Sequence, residues 1–163
     1  MTLECKIREA TRADCSLIYE FIVALAEYEK LAHEVVATPD KLEQTLFGKK
    51  AFAKVIIAEM GGKPVGFALY FYNYSTFLAR PGLYLEDLYV VPEARGLKIG
   101  KQLLVRLAQI ALENGCGRFE WWVLDWNQSA IDFYRSIGAI GMEEWTVQRV
   151  DGAALKKLAE TRL

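Results

Sequence analysis

The sequence predicts one layered α/β domain of the α+β type, spanning residues 1–163. Three observations carry this. The 163-residue chain is long enough for one hydrophobic core and too short for two ordinary domains. Two runs rich in β-branched and aromatic residues, Phe52 to Met60 and Val65 to Tyr72, are joined by Gly61-Gly62-Lys63-Pro64, the signature of an antiparallel hairpin. After Pro92 the apolar period changes from that of a strand to that of a helix.

Taken in order, Leu3 to Arg8 alternates as a short strand. Asp14 to Lys30 repeats Leu17, Ile18, Phe21, Ile22 and Leu25 at helical spacing. Thr38 before Pro39 sets a capping hydroxyl ahead of a proline suited to the first helical position, so a helix should run to about Phe47 and stop at Gly48. The hairpin follows. Leu83 to Val91 is a third strand, and Ile99, Leu103, Leu107 and Ile110 then mark one face of a helix ending near Gly115. Phe119 to Leu124 and Trp145 to Val150 read as strands, Ser129 to Ser136 and Ala153 to Glu160 as helices.

Composition excludes several functions. Lys and Arg number 20 against 21 Asp and Glu, which offers no basic face for nucleic-acid phosphates. Cys5, Cys15 and Cys116 show no metal or redox spacing, and an odd count fits reduced thiols, with the cytoplasm as the expected compartment. The N-terminus lacks the apolar run of a signal peptide, and no segment reaches the roughly 20 apolar residues that span a bilayer. A soluble protein without a membrane partner is expected. The single histidine, His33, leaves a Ser-His-Asp machine or a zinc site without ligands enough, so no metal is expected.

The strand-to-helix connection Arg95-Gly96-Leu97-Lys98-Ile99-Gly100-Lys101 carries three cations and two glycines. Unpaired N–H groups at a helix start, at the positive end of the helix dipole, suit a phosphate. The turn is no Walker A loop, which needs another residue between the glycines and a Ser or Thr where Gln102 stands, and it lacks the three glycines of a dinucleotide fingerprint.

With the strand before it, this turn resembles motif A of the GNAT acetyltransferases, R/Q-x-x-G-x-G/A, Arg95 and Gly100 filling the first and last positions and Lys98 standing where the family prefers glycine. Tyr84-Leu85-Glu86-Asp87-Leu88-Tyr89-Val90 and the stretch Asp125-Trp126-Asn127-Gln128-Ser129-Ala130-Ile131-Asp132-Phe133-Tyr134 look like the diamine branch, which includes spermidine/spermine and thialysine acetyltransferases. The similarity runs from Ile7-Arg8 through Ala13-Asp14-Cys15 and Ala26-Glu27-Tyr28-Glu29 to Arg149. It implies the GNAT fold, a mostly antiparallel mixed sheet with splayed parallel strands flanked by helices, with acetyl-CoA as co-substrate. By this resemblance Leu88, Tyr89 and Val90 meet the pantetheine arm through their main chain. Arg95, Gly96, Leu97, Lys98, Ile99, Gly100 and Lys101 hold the pyrophosphate. Asn127, Ser129 and Ala130 line the thioester end, where Tyr134 also contacts the co-substrate and acts as general acid. A homodimer is implied, with Trp145 to Val150 available as its contact.

Acetyl transfer needs a neutral amine, yet an alkylammonium has a pKa near 10, so about one molecule in a thousand is reactive at pH 7. Glu86, beside the expected thioester, is the candidate base, through a bridging water as the resemblance suggests. Strand alternation sends Asp87 to the opposite face. Carboxylates and aromatic faces would hold the cationic substrate. Tyr28 and Glu29 fall where diamine acetyltransferases bind it, and Glu34, Trp126, Glu143, Glu144 and Trp145 are further candidates, the choice between Glu143 and Glu144 being open. Tyr74-Ser75-Thr76-Phe77 lacks the acid that polyamine enzymes carry there and looks more like the thialysine branch. The expected substrate is a thialysine-like amino acid, a diamine or a polyamine. The alternatives are an acyl-CoA-binding sensor without catalysis, and a protein or peptide N-acetyltransferase.

Overall fold

The structure, a computed structural model, describes residues 4–162. The chain divides into two compact units, Met1–Leu124 and Asp125–Leu163.

The first unit is a five-stranded sheet in the order β1-β2-β3-β4-β5. Its strands are β1 (Cys5–Glu9), β2 (Lys54–Met60), β3 (Lys63–Ser75), β4 (Arg80–Val90) and β5 (Arg118–Trp121). The first four pair antiparallel and β5 lies parallel to β4. The start of the first expected strand, Leu3, lies outside the described residues. The hairpin turns tightly at Gly61 and Gly62, both at positive φ, so that Lys63 and Pro64 already belong to β3.

Helix α1 (Cys15–Tyr28) and helix α2 (Pro39–Leu46) pack Ile18, Phe21, Leu42 and Leu46 on Val55, Ile57, Phe67, Leu69 and Tyr89 of the sheet. Thr38 caps α2 as its position before Pro39 implies, its hydroxyl accepting the Lys41 N–H at 3.2 Å. Helix α3 (Ile99–Glu113) buries Ile99, Leu103, Leu104 and Leu107. Its Gly100 approaches Leu88 and Val90, which alternate with Tyr89 and belong to the sheet's other face. Phe67, Ile57, Leu103 and Leu107 are fully buried, each contributing about 1.5–3 kcal/mol of transfer free energy to this two-sided core.

The second unit contains α4 (Gln128–Ser136) and α5 (Gly152–Ala159). The strand expected at Trp145 to Val150 does not form. Among the described residues of its unit no strand stands ready to take its N–H and C=O groups, and Trp145, Val147 and Val150 are exposed. The strand expected to end at Leu124 stops at Trp121, where its pairing with β4 stops.

Candidate active site

The site of the first unit is built around an irregularity in β4. Leu69 pairs with Asp87 but Tyr70 pairs with Leu85, so Glu86 has no cross-strand partner and β4 bulges there. The bulge shifts the alternation of the strand, so that Leu85 and Asp87, two residues apart, follow the adjacent partners Tyr70 and Leu69 onto opposite faces of the sheet. Asp87 joins the face of its partner Leu69, which packs beneath α1 and α2. Burial, and then the charges of Glu86 and Glu29, push its carboxyl up to about 7. Glu29, which ends α1, is itself raised by burial. Three carboxylates thus come within electrostatic reach, two of them singled out from sequence. Asp87 was missed as a member because nothing local to Leu85-Glu86-Asp87 marks a bulge; only the pairing with β3 creates it.

Beyond the bulge β4 has an open edge. β5 pairs only with Gly82 to Leu85, and among the described residues no strand pairs with Glu86 to Val90 on that side. Val91 donates its N–H to Val65 of β3 at 2.9 Å, so the alternate residues Leu88 and Val90 direct their backbone groups to the open edge, while Tyr89 pairs inward with Phe67. This edge offers N–H and C=O groups to an extended ligand with amides, as a pantetheine arm has.

The strand runs straight into the cationic turn. Gly96 has φ +82° and Lys98 φ 62°, ψ 19°, both left-handed, before α3 starts at Ile99. The left-handed backbone explains why glycine suits position 98; here a lysine accepts it, at a cost of about 1–2 kcal/mol. Lys98 and Lys101 line a groove of about 470 Å³ beside α3, with Gln102, Arg106, Cys5 and Ile7, so both cations flank the helix start. Leu97 is exposed, Gly100 half-buried, and Ile99 anchors the turn in the core. Arg95 folds back instead: its Nε donates to the Val90 carbonyl at 3.2 Å, and its guanidinium lies over the rings of Tyr28 (5.4 Å) and Tyr89 (5.8 Å).

The remaining candidates lie in the second unit. Asn127 caps α4, its Oδ1 accepting the Ala130 N–H at 3.3 Å; Ser129 and Ala130 form the helix's first turn and Tyr134 its last, half-buried. Trp126, Glu143, Glu144 and Trp145 are exposed, Glu143 lying over Gly141. In the first unit Glu34 and His33 are exposed neighbours, Glu34 Oε1 lying 3.4 Å from His33 Nε2.

Residues 19–139 match the model of the acetyltransferase (GNAT) family. The chain is 41% identical over 164 aligned residues to the thialysine N-epsilon-acetyltransferase of Sus scrofa, covering 94% of this chain and 96% of that protein. It is 32% identical to an L-ornithine N5-acetyltransferase of Arabidopsis thaliana, covering 94% and 87%. A solved integron cassette protein from the mobile metagenome of V. cholerae superposes with a TM-score of 0.80 at 31% identity, covering 96% and 98% of the two chains.

Proposed function

The chain belongs to the acetyltransferase (GNAT) family and is an acetyl-CoA-dependent N-acetyltransferase, and we propose that it acetylates the primary amine of a small cationic substrate, a thialysine-like amino acid or a short diamine. The observation that carries this is the open edge of β4, where outward-facing Leu88 and Val90 lead into the phosphate-type turn. Acetyl-CoA supplies the thioester. Leu88 and Val90 hold its pantetheine arm through the main chain with Tyr89 between them. Gly96 to Lys101 and Arg95 hold the pyrophosphate, and Asn127, Ser129 and Ala130 line the thioester end.

In the amine site Tyr28, Glu29 and Asp87 attract the ammonium group, with Trp126 and Glu143 or Glu144 as further contacts. Glu86 takes the ammonium proton through a bridging water, leaving a lone pair to attack the acetyl carbonyl. As the carbon–sulfur bond breaks, Tyr134 gives its phenolic proton to the departing sulfur, and the second proton of the now positively charged attacking nitrogen returns to the phenolate, leaving the neutral amide and free thiol. The likeness to thialysine and ornithine enzymes supports an amino-acid amine over a long polyamine, as does the lack of an acid in Tyr74 to Phe77. We further infer a single catalytic domain, because the family match crosses the boundary between the two units. A homodimer in the cytoplasm completes the reading, supported there by three free cysteines; no helix among the described residues is long and apolar enough to cross a membrane.

Release of free CoA from acetyl-CoA should be measured against thialysine, ornithine, lysine, putrescine, spermidine and a histone-tail peptide. Thialysine or ornithine should turn over fastest, with kcat reduced about 10²–10⁴-fold by Tyr134→Phe and similarly by Glu86→Gln. Turnover of the peptide alone would reject the small-amine reading.

A further inference from the structure

Arg95 occupies groups that both substrates need. Its Nε holds the Val90 carbonyl on the open edge of β4, and its guanidinium covers one face of the Tyr28 ring at 5.4 Å and of Tyr89 at 5.8 Å. Both contacts lie within one unit, Met1–Leu124. Tyr89 continues inward to Phe21 at 5.9 Å, and Phe21 stacks on Phe67 at 5.3 Å. On its Tyr89 side the guanidinium therefore rests on a ring that is itself buried against the core, while Tyr28 is exposed.

We propose that Arg95 is a positioning residue that makes amine binding depend on prior occupation of the phosphate turn. This rests on the acetyltransferase reading above. A pyrophosphate at Gly96 to Lys101 offers the Arg95 guanidinium a doubly charged partner, and charge-assisted pairing of that kind is stronger than its bond to a neutral carbonyl. A pantetheine amide competes for the Val90 carbonyl in the same event. Both demands move Arg95 in one direction, away from Val90 and from Tyr28. With Arg95 gone, the Tyr28 face is released to an ammonium group next to Glu29, and one cation replaces another on the same ring. Before that, an incoming ammonium meets a like charge. The coupling needs no lid, because one side chain serves both sites.

Because coupling between two ligands is reciprocal, the amine must strengthen CoA binding by the same factor as CoA strengthens amine binding. The expected factor is about tenfold, within the range of about 5–150-fold common for coupled sites. Titration calorimetry of thialysine into the full-length protein, alone and saturated with CoA, reads it directly without turnover. The wild type should bind thialysine about tenfold more tightly with CoA. Arg95→Gln, whose neutral side chain retains a hydrogen-bonding amide, should bind thialysine without CoA as tightly as with it. Tyr28→Leu should weaken amine binding in the CoA-saturated protein and reduce the coupling. Equal affinity with and without CoA in the wild type, or undiminished coupling in Arg95→Gln, overturns the proposal while acetyl-CoA turnover in the same preparation leaves the acetyltransferase reading standing. A preparation that neither binds CoA nor releases it from acetyl-CoA with any amine overturns that reading, and the gate with it.

Discussion

Asp87 shows how one residue carries the tension between stability and chemistry. An aspartate has an ordinary pKa of about 3.9, and in the folded chain burial beside Glu86 and Glu29 raises it to about 7. Between those values the native state keeps a proton that the unfolded state has released, so stability falls as pH rises through this window and is level above it. The contribution is intact below about pH 4 and lost by about pH 7. Asp87→Asn removes the penalty. The variant should gain about 2 kcal/mol at pH 8, a figure reduced from the full linkage value for partial solvation, and only about 0.5 kcal/mol at pH 4.5. Urea unfolding at the two pH values measures both. Activity on a cationic amine should fall in the same variant, since a stabilising change at a functional site commonly trades against function. Glu86, Tyr28, Glu29 and Tyr134 could be selected from sequence because a motif surrounds them; Asp87 could not, because its environment comes from β3 and α1.

At the scale of elements, the strand β4 and its turn do most to position the site, and their geometry depends on neighbours. Gly66 on β3 faces Val90 in the register, and a Cβ built there would meet the Tyr89 carbonyl at 2.7 Å, a backbone atom that cannot step aside alone. Gly66→Ala should therefore push β3 and β4 apart beside the open edge, lowering unfolding free energy by about 1–3 kcal/mol and weakening CoA binding. Chemical denaturation and calorimetry with CoA test the two effects separately; unchanged stability together with unchanged affinity would show that the strands yield without loss. The turn at Lys98 teaches a related lesson. Its departure from the family glycine is visible in the sequence, yet the left-handed backbone that gives the glycine its meaning appears only once the helix start is placed.

For the whole molecule, the second unit poses the question. None of its described residues is buried, and Ile140, Trp145, Val147, Leu155 and Leu158 are all exposed. A unit this short cannot enclose a core of its own. The inferred homodimer gives such a surface a use. Sedimentation at micromolar concentration should show a dimer, and Trp145→Glu with Val147→Asp should shift it to monomer; a monomeric wild type would reject the dimer.

Most helices, the hairpin and the phosphate-type turn could be read directly from the chain, because period, capping and glycine placement act over a few residues. Thr38 before Pro39 caps α2 through an atom three residues away, and Ile99 to Ile110 repeats at a spacing any single helix must obey. The family could be recognised for the same reason, since its motifs are local runs. The bulge at Glu86, the open edge from Glu86 to Val90 and the placement of Arg95 over Tyr28 arise from segments tens of residues apart, and no local period encodes them. Trp145 to Val150 marks the same boundary from the other side: a strand-like composition states a preference, but a strand exists only where another backbone meets its hydrogen bonds.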